Sequence, residues 1–200
     1  MVIEANREMK IGILALQGAV REHQQMLEKL GAETVLIKKP EHLDGIEGLV
    51  VPGGESTTMG KLLREYDLLQ PIKAMGEQGL PVFGTCAGMI VMAKRIQGAD
   101  EPHLGLMDVE VNRNSFGRQV NSFETDLDIP AIGEQPFPAV FIRAPHVTEV
   151  GDSVEVLARY EDRVVAARQG RLLALSFHPE LTGDDRLHRY FLDMVQERNS

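Results

Sequence analysis

A single cysteine, Cys86, is all that the 200 residues contain, so no disulfide can form within the chain, in agreement with a reducing compartment. Long hydrophobic runs are missing as well. Apolar runs such as residues 11–16 fall far short of the roughly 18 apolar residues of a membrane-spanning helix. No signal-peptide pattern opens the chain, so the expected location is cytoplasmic, with no membrane partner. Positive charge is scarce: 21 Lys and Arg stand against 30 Asp and Glu, for a formal net charge of -9. This argues against a nucleic-acid surface, which needs clustered Lys and Arg, and against binding to anionic lipid. With neither a His-Glu-x-x-His motif nor paired Cys-x-x-Cys motifs, no metal and no other cofactor are expected.

What is present suits a folded α/β protein. Hydrophobic residues make up 43% of the chain, enough for a substantial core, and the length suits one domain. Residues 1–8 precede the first core-like segment and read as a loose extension, with Met9 as an alternative start; residues 9–200 form the expected domain. Strands expected at 11–16, 34–38, 48–51 and 81–83 alternate with helices, one running from Val20 to a stop at Gly31 and others at 59–69 and 89–96. That alternation predicts a mainly parallel open sheet with helices on both faces. After Gly98 the segments 106–112, 119–125, 139–143, 154–159, 163–168 and 171–177 are short and β-rich, which predicts an antiparallel extension of the same sheet. A final helix over 184–197 sets Leu187, Phe191 and Val195 at four-residue intervals.

The lone cysteine lies in Gly84-Thr85-Cys86-Ala87-Gly88, directly after Pro81-Val82-Phe83. In most proteins such a residue is an inert, buried small hydrophobe. Here small residues on both sides permit the cramped strand-to-helix turn of a nucleophile elbow. A thiol with a reference pKa of about 8.5 then needs a base. Of the histidines at 23, 42, 103, 146, 178 and 188, His178 stands at the carboxyl end of a predicted strand, where open parallel sheets hold their ligands. Pro179 biases His178 towards an extended backbone, in which residues two apart point the same way, so Glu180 is placed to orient it. A His-x-Glu alone is commonly a surface ion pair; beside the elbow it completes a nucleophile, base and orienter. The other five histidines read as structural.

The third feature is Pro52-Gly53-Gly54-Glu55-Ser56-Thr57-Thr58. Consecutive glycines let backbone N–H groups approach a ligand, and so hold a substrate or an oxyanion. It is not a phosphate loop: Gly54 and Gly60 enclose five residues rather than four, and Lys61 precedes Leu62 instead of Ser or Thr.

These three motifs resemble those of the triad glutamine amidotransferases. Four longer stretches narrow the likeness: Leu16 to His23, Gly53 to Met59, Arg113 to Gln119 and Phe141 to His146 resemble the glutaminase subunits of pyridoxal 5'-phosphate synthases. The likeness runs from Met9 to the last helix, and Ile90, where many other amidotransferases have Gln or Asn, agrees with that subfamily. It implies a class I glutamine amidotransferase-like fold, with Cys86 as nucleophile, His178 as general base and acid, and Glu180 as its orienter. It also implies glutamine contacts from Gly54, Glu55, Ser56, Arg113, Ile142 and Arg143. The oxyanion would be held by the backbone N–H groups of Gly54 and Ala87. L-glutamine is the implied substrate, and the implied partner a (β/α)8-barrel synthase subunit in a large hetero-oligomer that takes up the ammonia. The alternatives are an amidotransferase subunit serving another synthase, or a non-catalytic glutamine-binding subunit.

Overall fold

The computed structural model describes residues 8–114 and 122–199. All but the last residue of the expected extension lies outside the described residues, as do residues 115–121, which hold part of the third long motif and the start of the segment expected at 119–125. In chain order the elements are β1 (Lys10–Leu14), α1 (Val20–Lys29), β2 (Glu33–Ile37), β3 (Gly48–Val51), α2 (Ser56–Glu65), α3 (Leu69–Glu77), β4 (Val82–Thr85), α4 (Ala87–Met92) and β5 (Ala93–Ile96). There follow β6 (Met107–Asn112), β7 (Ser122–Leu127), β8 (Phe137–Ile142), β9 (His146–Val150), β10 (Glu155–Tyr160), β11 (Arg163–Gln169), β12 (Leu172–Leu175) and α5 (Arg186–Asn199).

The main sheet runs β2-β1-β3-β4-β12-β11-β9-β6-β5, with β10 also paired to β11. From β2 to β12 neighbouring strands are parallel. β11, β9 and β6 then continue it antiparallel. Sequence explains the division. β3 (Gly-Leu-Val-Val) and β4 (Val-Phe-Gly-Thr) are buried at every position, as parallel strands covered on both faces must be. β6 alternates buried and half-buried residues, the pattern of a sheet with one wetter face. Alternate residues of the parallel strands feed two cores. Ile11, Ile13 and Val50 join Phe83, Phe177, Leu187 and Phe191 on one side. Leu14, Leu49 and Val51 join Met59, Leu63 and Ile72 on the other.

Four local expectations are corrected. The helix expected at 59–69 is two helices, α2 and α3, separated where Asp67 takes φ 58° and Leu68 is buried. A left-handed residue ends the first helix, and Asp tolerates that conformation better than most. Pro71 does not prevent α3 because it falls in the first turn, where its missing N–H costs nothing. Residues 93–96 continue not as helix but as β5, parallel to β6; periodicity alone cannot separate a short apolar helix from a buried strand. β7 and β8 do not extend the main sheet but pair with each other in a separate two-stranded sheet. Their apolar face is drawn inwards: Phe123 stacks on Phe141 at 4.8 Å between ring centroids, and Phe141 meets Phe177 at 5.5 Å. Arg186 fastens the approach to this hairpin by donating to the carbonyls of Gln135 (2.8 Å) and Pro136 (3.0 Å). β9 answers to no expected segment.

α5 returns the chain to the parallel strands. Phe191 lies 5.3 Å from Phe83, and a methyl group added at Gly48 would meet Val195 and Phe191 at 2.8 and 3.1 Å. Phe191→Ala is therefore expected to cost roughly 3–5 kcal/mol. Urea denaturation followed by circular dichroism checks this; a loss below about 1 kcal/mol would show that α5 is not an integral part of the core.

Candidate active site

β4 delivers the chain into a turn with no spare room. Cys86 has φ 52° and ψ -111°, a backbone that a residue with a side chain adopts only when its surroundings hold it there. They do. Its N–H donates to the Leu175 carbonyl at 2.8 Å. A methyl group at Gly84 would strike Met92 and the Gly88 main chain, and one at Gly88 would strike the Val51 carbonyl. The small residues on either side of the cysteine are thus required by how closely α4 lies on β3 and β4. The Sγ of Cys86 points to the Ile142 carbonyl at 3.6 Å, at the end of β8.

β12 lies beside β4 in parallel register, Leu175 opposite Thr85, so both strands release their chains at the same edge of the sheet. Ser176, Phe177 and His178 follow, and the His178 N–H is fixed by the Val140 carbonyl at 2.8 Å. His178 Nδ1 meets Glu180 Oε1 at 2.5 Å, with both side chains buried. The expected partnership is present, but the expected reason is not: Pro179–Leu181 is a 3₁₀ turn, not an extended segment, and the turn swings the carboxylate back onto the imidazole. Burial works against a charge on His178, but hydrogen bonds to Cys86 and Glu180, together with their charges, outweigh it and raise its pKa to about 10. Gly53 closes the other side, since a Cβ there would lie 2.5 Å from His178 Cε1 and 3.4 Å from Cys86 Cβ.

The glycine loop borders this pair. Gly53 is buried, Gly54 (φ 154°) and Glu55 are exposed, and Ser56 is buried in the first turn of α2. The Glu55 carboxylate is committed to capping α2: it accepts from the N–H of Thr57 (3.0 Å) and of Thr58 (2.7 Å), and from the Thr58 hydroxyl (2.6 Å). The Thr58 hydroxyl is the largest reason that Glu55 titrates lower than usual. Arg113 reaches the same helix end, Nη1 lying 3.3 Å from Thr57 Oγ1. Ile142 and Arg143 are exposed at the end of β8, and Arg143 takes φ 45°. Cys86, His178, Glu180, Gly53 and Ile142 thus form one cluster, with Glu55 and Arg113 grouped at the neighbouring helix end.

Sequence reasoning passed over three histidines here. His103 packs on Gly60 and stands 3.2 Å from Arg64 Nη1; burial first, then Arg64 and Arg113, push its pKa down. His23 and His188 are fully buried and paired, His23 Nδ1 lying 2.8 Å from His188 Nε2. His23 Nε2 stands 3.1 Å from Thr85 Oγ1 and 3.6 Å from Glu180 Oε2. Burial drives His23 well below its ordinary pKa, with help from His188 and His178, and burial brings His188 down to about 4. A single histidine per amphipathic helix carries no sequence signal; only the fold brings the two together. Among the described residues no group of three or more His, Cys, Asp or Glu is arranged to hold a metal ion.

An open, mainly parallel α/β sheet whose central strand ends in a strained cysteine elbow, beside a buried histidine–carboxylate pair, defines the class of amidotransferase-like α/β proteins. The chain belongs to the SNO glutamine amidotransferase family, whose model matches residues 13–197. It is 64% identical over 185 residues to pyridoxal 5'-phosphate synthase subunit PdxT of Pelotomaculum thermopropionicum, covering 92% of this chain and 94% of the relative. The Geobacillus kaustophilus protein of the same name is 62% identical over 189 residues, covering 94% and 96%. A crystal structure of a glutamine amidotransferase superposes with a TM-score of 0.88 at 53% identity, over 93% of this chain and 98% of that one. A putative GMP synthase subunit from Thermoplasma acidophilum, at 18% identity, shares the fold with a TM-score of 0.70 over 98% of both chains.

The buried His188 makes stability depend on pH with a definite sign. Its folded pKa lies below the ordinary value of 6.5, so its contribution is complete above about 6.5 and is lost as pH falls through about 4. The expected loss is about 3 kcal/mol across that window. Urea midpoints measured from pH 7 to pH 4 check it; His188→Leu is expected to flatten the decline, and an unchanged slope would contradict the assignment.

Proposed function

We propose that this chain is the glutaminase subunit of a pyridoxal 5'-phosphate synthase: it hydrolyses L-glutamine to L-glutamate and passes the ammonia to a synthase subunit. The observation that carries the reading is the His178–Glu180 contact of 2.5 Å beside the strained Cys86, in a chain 64% identical to a protein named pyridoxal 5'-phosphate synthase subunit PdxT.

His178 takes the thiol proton of Cys86, and the sulfur attacks the side-chain carboxamide carbon of glutamine. The carbonyl oxygen becomes an oxyanion facing backbone N–H groups, those of Gly54 and Ala87. His178 then gives its proton to the departing nitrogen, ammonia leaves, and a γ-glutamyl thioester remains on Cys86. A water molecule deprotonated by His178 attacks the thioester, releasing glutamate and restoring the thiol. Glu180 holds Nδ1 throughout, so that Nε2 is the nitrogen presented to the reaction. Arg113 and Arg143 suit the substrate α-carboxylate, and the carbonyl of Ile142, exposed at the end of β8, offers an acceptor. For Glu55 to receive the α-ammonium group, its carboxylate must share or leave the cap of α2.

The partner is a (β/α)8-barrel synthase subunit in a large hetero-oligomer, and the turn at Gln17 and Gly18 couples it to the site. Glu55 donates its N–H to Gln17 Oε1 at 2.9 Å, and Ala19 donates to the Gly53 carbonyl at 3.3 Å. Because the peptide is trans, turning the Gly53 carbonyl towards Ala19 sends the Gly54 N–H the other way. A partner that moves this turn therefore reorients the oxyanion donor. Residues 9–200 act as one domain, supported by a core that joins Ile11 to Val195, and a cytoplasmic setting suits a chain without a membrane-spanning helix among its described residues.

Glutamate release measured with and without the synthase subunit tests the reading. Cys86→Ser is expected to lower turnover by more than about a thousandfold and Glu180→Gln by about a hundredfold or more, both without unfolding. Wild-type activity in Cys86→Ser would end the proposal. Gln17→Ala is expected to leave basal turnover and remove the stimulation by the partner; full stimulation would disprove the coupling alone.

A further inference from the structure

The carboxylate of Glu180 is only half accounted for by His178. Oε1 holds His178 Nδ1, whereas Oε2, on a side chain with no exposed surface, has no hydrogen-bond partner among the described residues. Facing it is the ring nitrogen Nε2 of His23, on α1, at 3.6 Å, which also approaches Thr85 Oγ1 at 3.1 Å. Behind His23 stands His188 of α5, its Nε2 at 2.8 Å and its Nδ1 without a partner.

These contacts select the tautomers. If His23 carried its proton on Nδ1, it would donate to His188 Nε2, and the His188 proton would sit on Nδ1 with nothing to accept it. A buried N–H left unpaired is costly, more so than an unused lone pair. The bare Nε2 of His23 would also face the lone pairs of Glu180 Oε2. The reverse arrangement has neither defect: His188 donates from Nε2 to His23 Nδ1, and His23 presents an N–H from Nε2 to Thr85 and Glu180. Both rings are held neutral by burial, so the donor brings no second positive charge to compete with His178 for the carboxylate.

We propose that His23, fixed in this tautomer by His188, is a positioning residue for the triad, directing its Nε2–H at Glu180 Oε2 so that Oε1 stays aligned on His178. The inference rests on the glutaminase reading of Cys86, His178 and Glu180. A separation of 3.6 Å is beyond a formed hydrogen bond, and such contacts commonly tighten only when substrate is bound. His23 would then tie the carboxylate to three elements at once: α1 itself, β4 through Thr85 and α5 through His188.

The experiment has two arms. In the first, glutamate release is measured for the full chain in complex with the synthase subunit, comparing His23→Met, which fills the space without a donor, with His23→Gln, which keeps an N–H at the same reach. The expected result is a fall in kcat of roughly 10- to 100-fold with KM within about twofold for His23→Met, and recovery to within about threefold of wild type for His23→Gln. Equal kcat in wild type and His23→Met, or an equal loss in both variants, would overturn the proposal by reducing His23 to packing. If His23→Met does not fold, the comparison is made in a His188→Leu background, where no donor is stranded. The second arm needs no variant: nitrogen-15 NMR of histidine-labelled wild-type protein is expected to show His23 and His188 neutral with the proton on Nε2. A proton on His23 Nδ1 would overturn the proposal whatever the kinetics. A wild-type complex that releases no glutamate would instead count against the glutaminase reading, leaving the tautomer result standing as a structural fact.

Discussion

Gly88 rests on the Val51 carbonyl and Gly84 on the Gly88 main chain, leaving no room at either place for a single added carbon. Because of this contact α4 lies directly on β3 and β4, and the chain can turn from strand to helix only through a residue bent as Cys86 is. The other parts follow from where that turn falls. The parallel register of β12 on β4 brings His178 to the same edge, and the end of β3 brings Gly53 against both side chains. Three separate stretches of sequence meet because three neighbouring parallel strands end together, the usual location of sites in open α/β sheets.

Charge is concentrated where water is scarce. His178 and Glu180 are buried and in contact, with the Cys86 sulfur beside them. Around them the protein places neutral groups: two uncharged histidines, the Thr85 hydroxyl and backbone carbonyls. Arg113 stays outside this zone, in the wetter rim near the start of α2, and Arg143 is exposed just past the end of β8. Deep charges are thereby few and coupled, so that their interaction is strong, while the arginines at the rim remain solvated.

Much of this was legible in the sequence. The alternation of strands and helices, the elbow, and the pairing of His178 with Glu180 came from spacing and residue type. Where reading failed, the missing information was tertiary. Residues 93–96 look like a continuation of α4 until β6 is available to pair with them, and β7 and β8 look like sheet extensions until Phe123, Phe141 and Phe177 are seen to close on one another. The Glu180 side chain reaches His178 through a 3₁₀ turn that nothing but the surrounding fold selects. His23 and His188 are 165 residues apart, and although His23 closes the Leu16–His23 stretch, nothing in the local pattern of either helix records their contact.

The backbone of Cys86 also sets a tension between durability and reactivity. A side chain held at φ 52° and ψ -111° costs on the order of 1–3 kcal/mol, and glycine at that position would relieve it. Selection for thermal robustness alone would therefore favour losing the thiol, and under the proposed mechanism a stability screen would reward inactive proteins at this site. Any effort to make the chain more durable has to find its gains elsewhere and leave this one uncomfortable residue as it is.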